Sequence, residues 1–354
     1  MPQRTYAVIG LGAIGLGMAQ SLLRAGLKTI GCNRGPRPLE TFAANGGQTT
    51  HNPAEAAARA DVLFLAVVNA AQAEDVLFGQ GGAARAMQAG DLVVNCVTVK
   101  PAFAVDMERR LAELGLLYLD APVSGGPAQS AAGKLSIMAS GSPEAFARAE
   151  TGLKAVAAVV HRLGDEAGKG SAMKVVNQLL AGTHIAAAAE AMALGLRMGL
   201  DAGDVYKVIT SAAANSWMFE TRMKHVVSGD YTPLSAVDIF VKDLGIVSET
   251  TREQAMPAPL AAAALQQCGA AQARGLGREA DAAVIKTFPG IELPRKKTEG
   301  IGRTLDPASV KGIRLNRPCD GRTFRRGEAR CPQTVWKIAA LFWPACWLFR
   351  WDWP

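Results

Sequence analysis

The segment GKGSAMKVVNQLLAG, residues 168–182, sets Lys174, Asn177 and Gln178 at offsets of three and four inside an apolar helical run, on one face of the helix. Lysine is seldom buried without a partner, so the segment has two readings: a solvated stripe or a reactive group. Val175, Val176, Leu179 and Leu180 fall mostly on the other faces, which leaves the polar stripe narrow. Partial burial would lower the lysine pKa towards neutrality and suit it to general acid/base work. His184 falls near the same side and reads as structural.

A second constellation opens the chain. VIGLGAIGLG, residues 8–17, contains G-x-G-x-x-G at Gly10, Gly12 and Gly15. It follows a strand pattern and opens a helix, the context that makes the motif a dinucleotide signature. Gly10 permits the tight turn, Gly12 the approach of a pyrophosphate and Gly15 the close packing of helix on strand, with Leu11, Ala13 and Ile14 completing the loop. About 20 residues on, where a carboxylate would bind the ribose of NAD, the chain has Asn33 and Arg34. No carboxylate opposes a 2′-phosphate there and Arg34 can pair with one, which favours NADP, although a neutral Asn also tolerates NAD.

Two further stretches carry polar groups in small or apolar surroundings. Ser124, Gly125 and Gly126 follow a strand pattern in LDAPVSGGPAQS, where successive backbone N–H groups can cradle an anion such as a substrate carboxylate. Spacing alone does not separate that from a plain turn. Lys242 and Asp243 interrupt an apolar helical run and read either as a surface ion pair or as a lysine closing over the site. Trp217 and Phe219 read as core.

These residues need a scaffold that brings them together. Strand-like runs at 5–10, 27–33, 61–67, 91–96, 116–122 and 134–141 alternate with helix formers such as PAEAAARA and AFAVDMERRLAELG. That alternation argues an α/β domain over residues 1–165 with a doubly wound parallel sheet. Residues 166–289 lack strand alternation and read as an all-helical second domain, entered by the Lys174 helix and broken at Gly229 and at Pro257 and Pro259. Residues 290–354 show no sustained period and hold five of the six Trp, and read as a disordered or out-of-frame tail.

Charge and cysteine usage remove several function classes. The formal net charge of +7 is confined to the tail: residues 1–289 carry 25 Lys/Arg against 25 Asp/Glu, and residues 290–354 carry 13 against 6. A neutral body gives no electrostatic footprint for nucleic acid. The six Cys are scattered without zinc spacing, the N-terminus lacks a leader pattern, and the apolar run 338–349 is too short to span a bilayer. A cytoplasmic, reduced protein with no membrane or nucleic-acid partner is expected.

Taken together, GLGAIG, DAPVSGG, GSAMKVVNQ and FVKDL, in this order and spacing, resemble the β-hydroxyacid dehydrogenases related to 3-hydroxyisobutyrate dehydrogenase, over about residues 4–288. QLLAGTHIAAAAEAMALG, NSWMFETR and GDYTPLSAVDIFVKDLGIV look most like the L-threonate dehydrogenase branch. The resemblance implies a Rossmann domain and a helical domain joined by a long helix, a dimer or tetramer, and an NAD(P) cofactor, with the branch favouring NAD. It implies Lys174 as the catalytic lysine, Asn177 as its companion, and Ser124, Gly125 and Gly126 as the carboxylate turn. Thr98 would lie near the nicotinamide, Lys242 would reach the cofactor site, and the Gly10–Gly15 loop would hold the pyrophosphate. Asn95 and Val97 stand where the family's loop usually has Asp and Ser.

The implied reaction is oxidation of a small hydroxy acid, L-threonate foremost, to a 2-oxo acid by hydride transfer, with Lys174 taking the hydroxyl proton. The competing readings are a reductase of tartronate or succinate semialdehyde, a 3-hydroxyisobutyrate dehydrogenase, and an inactive dinucleotide-binding scaffold.

Overall fold

The protein is described by a computed structural model over residues 4–296, within one compact unit. The expected tail lies outside the described residues from 297 onward. Six strands form one parallel sheet: β1 (Thr5–Ile9), β2 (Lys28–Cys32), β3 (Gln48–Thr50), β4 (Val62–Leu65), β5 (Leu92–Asn95) and β6 (Leu117–Asp120), in the order β3-β2-β1-β4-β5-β6. This is the doubly wound order, in which the topological switch between β1 and β4 opens a crevice at the carboxyl ends of the strands. The sheet is buried on both faces, so β1, β4 and β5 read TYAVI, VLFL and LVVN rather than alternating. One face packs Tyr6, Phe42 and Phe64, the other Ile30, Leu63 and Met107.

A smaller sheet extends this layer: β7 (Val123–Ser124) runs antiparallel to β8 (Leu135–Ala139), which runs parallel to β9 (Ala157–Arg162). β3, β7 and β9 escape the strand pattern. β3 is three polar residues, β7 is two residues, and β9 lies at a sheet edge with Val159 half exposed. A bridge between Asp120 and Ser140 ties the two sheets.

The helical part begins with one helix of 29 residues, Lys169–Arg197. By length and composition it is apolar enough to cross a membrane, yet Lys174, Gln178, Gly182, Ile185, Ala189 and Met192 are buried in the protein along it. It is a core helix. The helices Trp217–Ser228, Val237–Glu253 and Pro259–Ala271 pack around it through Phe219, Met223, Phe240 and Leu244. The breaks fall where the sequence places them: Gly229 caps Trp217–Ser228 in the left-handed region, and Pro259 opens the last helix. Ile291 and Leu293, past residue 289, still pack on this core. Trp217 departs from expectation. It is 52% exposed, with the Arg222 guanidinium over its ring while Arg222 pairs with buried Asp281 beneath.

What seats the long helix on the sheet is Asp120, at the end of β6. Its fully buried carboxylate accepts from the Gly168 N–H at 3.0 Å, the Ser171 N–H at 2.7 Å and the Ser171 hydroxyl at 2.6 Å. Gly170 makes the fit possible: a Cβ there would meet the Met138 and Asp120 carbonyl oxygens at 2.5 and 2.6 Å. Burial raises the Asp120 pKa and the Ser171 and Gly168 hydrogen bonds oppose the rise. Asp120→Ala would leave buried donors without an acceptor and is expected to lower stability by about 2–4 kcal/mol, read by chemical denaturation.

Candidate active site

The carboxyl edge of the sheet gathers most of the candidate residues because each follows a parallel strand. The glycine loop follows β1, Asn33 follows β2, Thr98 follows β5 and Ser124 follows β6. Lys174 lies one helical turn beyond Ser171, which Asp120 ties to the end of β6.

In the glycine loop, Gly10 has φ +94° and its absent Cβ would meet the Ala66 carbonyl oxygen at 2.7 Å, so strand and loop can approach only with glycine there. Gly12 differs: a Cβ built on it meets no atom within 4 Å. The fold does not need that glycine for packing, and the open space over it is where a ligand's phosphates could approach the backbone. Asn33 acts on the loop itself. Its Oδ1 accepts from the Leu11 N–H at 3.1 Å, and its Nδ2 donates to the Gly35 carbonyl at 3.0 Å. Arg34 is exposed beside it. These features fit a dinucleotide.

The loop after β5 is shaped by Asn95. Its Nδ2 donates to the buried Tyr118 hydroxyl at 2.9 Å and its Oδ1 accepts from the Val97 N–H at 3.2 Å. That gives a structural reason for Asn at this position, and it sets the entry to half-buried Thr98. Ser124 is half-buried at the end of β7, opposite Ser136. Gly125 and Gly126 follow with φ +134° and +72°, a turn that side-chain-bearing residues rarely adopt.

Lys174 is 6% exposed, which excludes the solvated stripe. Its Nζ donates to Gln178 Oε1 at 2.8 Å. Asn177 does not bond the lysine directly; its Nδ2 donates to the same Gln178 oxygen at 2.8 Å. Gln178 Nε2 donates to Asp243 Oδ2, and Lys242 Nζ pairs with Asp243 Oδ1. Asp243 is 3% exposed, so the Lys242–Asp243 pair is no surface ion pair. Burial lowers the Lys174 pKa to about 8; the Asp243 charge opposes the shift and Lys242 adds to it. His184 is half-buried on the same helix. Sequence reasoning singled out the lysine with Asn177 and Gln178 on its face but missed that Gln178 connects it to Asp243. The only signal was Gln178 on the lysine's face and an acid inside an apolar helix.

Cys32, Cys96 and Cys268 are buried free thiols whose pKa burial pushes up to about 11, 12 and 12, so none is poised as a nucleophile. Lys174 differs from them: burial lowers its pKa to about 8, within reach of neutral pH. Two substitutions separate ligand binding from folding in the glycine loop. Gly12→Ala is expected to leave stability within about 0.5 kcal/mol yet weaken dinucleotide binding at least about tenfold, whereas Gly10→Ala is expected to destabilise the fold; thermal melts and cofactor titration by fluorescence check both.

Comparison with known proteins shows the family. Residues 5–164 match the NAD binding domain of 6-phosphogluconate dehydrogenase, and residues 168–288 match the NAD-binding domain of NADP-dependent 3-hydroxyisobutyrate dehydrogenase. A Cupriavidus necator protein named L-threonate dehydrogenase is 58% identical over 293 residues, 83% of this chain and 99% of the relative. A Haemophilus influenzae protein of the same name is 49% identical over 293 residues, 82% of this chain and 97% of the relative. The crystal structure of a 3-hydroxyisobutyrate dehydrogenase from Salmonella typhimurium superposes with a TM-score of 0.78 at 48% identity, covering 80% of this chain and 100% of that one. With its doubly wound sheet, its long core helix and these relatives, the chain belongs to the β-hydroxyacid dehydrogenase family of NAD(P)-dependent oxidoreductases that act on CH–OH groups.

Proposed function

We propose that the protein oxidises the C2 hydroxyl of a four-carbon sugar acid, L-threonate, to the 2-oxo acid. The observation that carries the chemistry is Lys174, buried and tied into a hydrogen-bond chain, with burial lowering its pKa to about 8. The choice of substrate is supported by the relatives named L-threonate dehydrogenase.

Ser124 and the backbone of Gly125 and Gly126 bind the substrate carboxylate. The 10–15 loop, Asn33, Arg34, Thr98 and Lys242 hold the dinucleotide. Its nicotinamide, when bound, supplies the hydride acceptor. Neutral Lys174 takes the proton of the reacting hydroxyl, and in the reverse direction its ammonium returns that proton to the carbonyl oxygen. Asn177 orients this pair through Gln178. The cofactor is NAD or NADP: Arg34 supports NADP, while the branch resemblance supports NAD.

The protein works as a homodimer or homotetramer. Exposed Met173, Val176, Leu180 and Leu194 on the long helix, with Met198 just past its end, support an oligomer. Its place is the cytoplasm, a reading supported by Cys32, Cys96 and Cys268, free and buried among the described residues.

Purified protein assayed with L-threonate, D-erythronate and 3-hydroxyisobutyrate against both dinucleotides is expected to turn over L-threonate fastest; a tenfold preference for another acid overturns the substrate assignment. Lys174→Ala is expected to lower kcat by about 10²–10⁴ with dinucleotide affinity intact. The base must be deprotonated for oxidation, so kcat/KM for oxidation rises with pH and levels off above about 8, while reduction shows the opposite dependence. A flat profile from pH about 6 to about 10 would remove Lys174 from the proton transfer.

A further inference from the structure

Gln178 has a side chain whose orientation is dictated by chemistry at both ends. Its amide carries one acceptor oxygen and one donor nitrogen. Asp243 is a carboxylate in contact with Lys242, so it accepts only, and Gln178 must present its nitrogen to it. The amide oxygen therefore faces Lys174 and Asn177, both of which donate to it at 2.8 Å. A neutral lysine has two N–H bonds and one lone pair. Because the Gln178 oxygen can only accept, Lys174 gives it an N–H and keeps its lone pair for another partner. Were the amide reversed, its NH₂ would occupy that lone pair.

We propose that Gln178 is a positioning residue for Lys174: held in one orientation by Asp243, it aims the lysine lone pair at the substrate hydroxyl and keeps the acid one residue away from the base. This rests on Lys174 as the proton acceptor. Its second half follows from charge. A carboxylate in direct contact with Lys174 would favour the ammonium and leave less neutral base at working pH. The neutral amide transmits geometry from Asp243 without adding a charge of its own.

The groups around Lys174 leave this role to Gln178. From the Val237–Glu253 helix, Asp243 and Lys242 act on the lysine. At the sheet edge, Asp120 is engaged by Gly168 and Ser171, and Glu108 of the Pro101–Ala112 helix by the Ala167 N–H. In the helical core, Asp281 is paired with Arg222. None of these makes a hydrogen bond to the Lys174 nitrogen among the described residues.

The test uses the full chain as wild type, Gln178→Glu, Gln178→Met and Lys174→Met. Lysine ε-carbons are labelled with ¹³C and titrated from about pH 6 to about pH 10, with Lys174→Met assigning the signal, and kcat is measured on the fastest acid of the substrate panel. Isosteric Gln178→Glu is expected to raise the Lys174 midpoint by about one unit or more. Gln178→Met is expected to lower kcat at least about tenfold with dinucleotide affinity within about twofold. A Gln178→Glu midpoint within about 0.3 units of wild type overturns the proposal, whatever Gln178→Met does, including failing to fold. So does a folded Gln178→Met with kcat within about twofold of wild type. If Lys174→Met keeps its turnover, the proton-transfer reading fails instead, and the titration still decides whether Gln178 screens the lysine from the acid.

Discussion

The carboxylate of Asp120 is the interaction on which the site depends. It ends β6, inside the protein, and satisfies the first N–H groups of a helix that would otherwise begin with orphan donors in a buried place. A negative charge at a helix N-terminus is favourable on electrostatic grounds as well. Through this one group, the edge of the sheet and the start of the long helix become a single rigid junction. The residues following β1, β2 and β5 on one side and Lys174 on the other then have a fixed common frame.

Around that junction the polar chemistry is arranged in order of charge. The nucleotide loop uses backbone and an amide, with Asn33 bracing it from the next strand. The lysine is set in an apolar helix, so burial depresses its pKa, and the opposing acid sits one side chain away. Lys242 balances that acid from the far side. Each buried charge therefore has a partner, which is what allows charged groups to persist in a core of Ala, Leu and Met.

The larger part of the fold was legible because its signals are periodic. The apolar strands β1, β4 and β5, the glycine pattern after β1 and the breaks at Gly229 and Pro259 are local features that survive folding unchanged. The strands β3, β7 and β9 were not legible, since β3 and β7 have only three and two residues and the six of β9 lie at an edge without a buried stripe. Trp217 was misread as core because size and hydrophobicity do not reveal which side of a helix faces out; its ring covers the buried Arg222–Asp281 pair instead. At the site, Lys174 stood out as a charge in an apolar run. The partners Gln178 and Asp243 lie 65 residues apart in sequence, and only the packing of two helices joins them.

The long helix has a mechanical side. It is one uninterrupted element pinned at its first turn, and Lys174 sits only about 4.5 Å along the axis from Ser171, whereas Arg197 sits about 39 Å away. For a rigid tilt about that pin, displacement grows with distance, so a swing of about 9 Å at the far end moves the lysine by only about 1 Å. A tilt of the bundle about this junction would therefore displace its far end while the backbone at Lys174 stays almost still against the sheet.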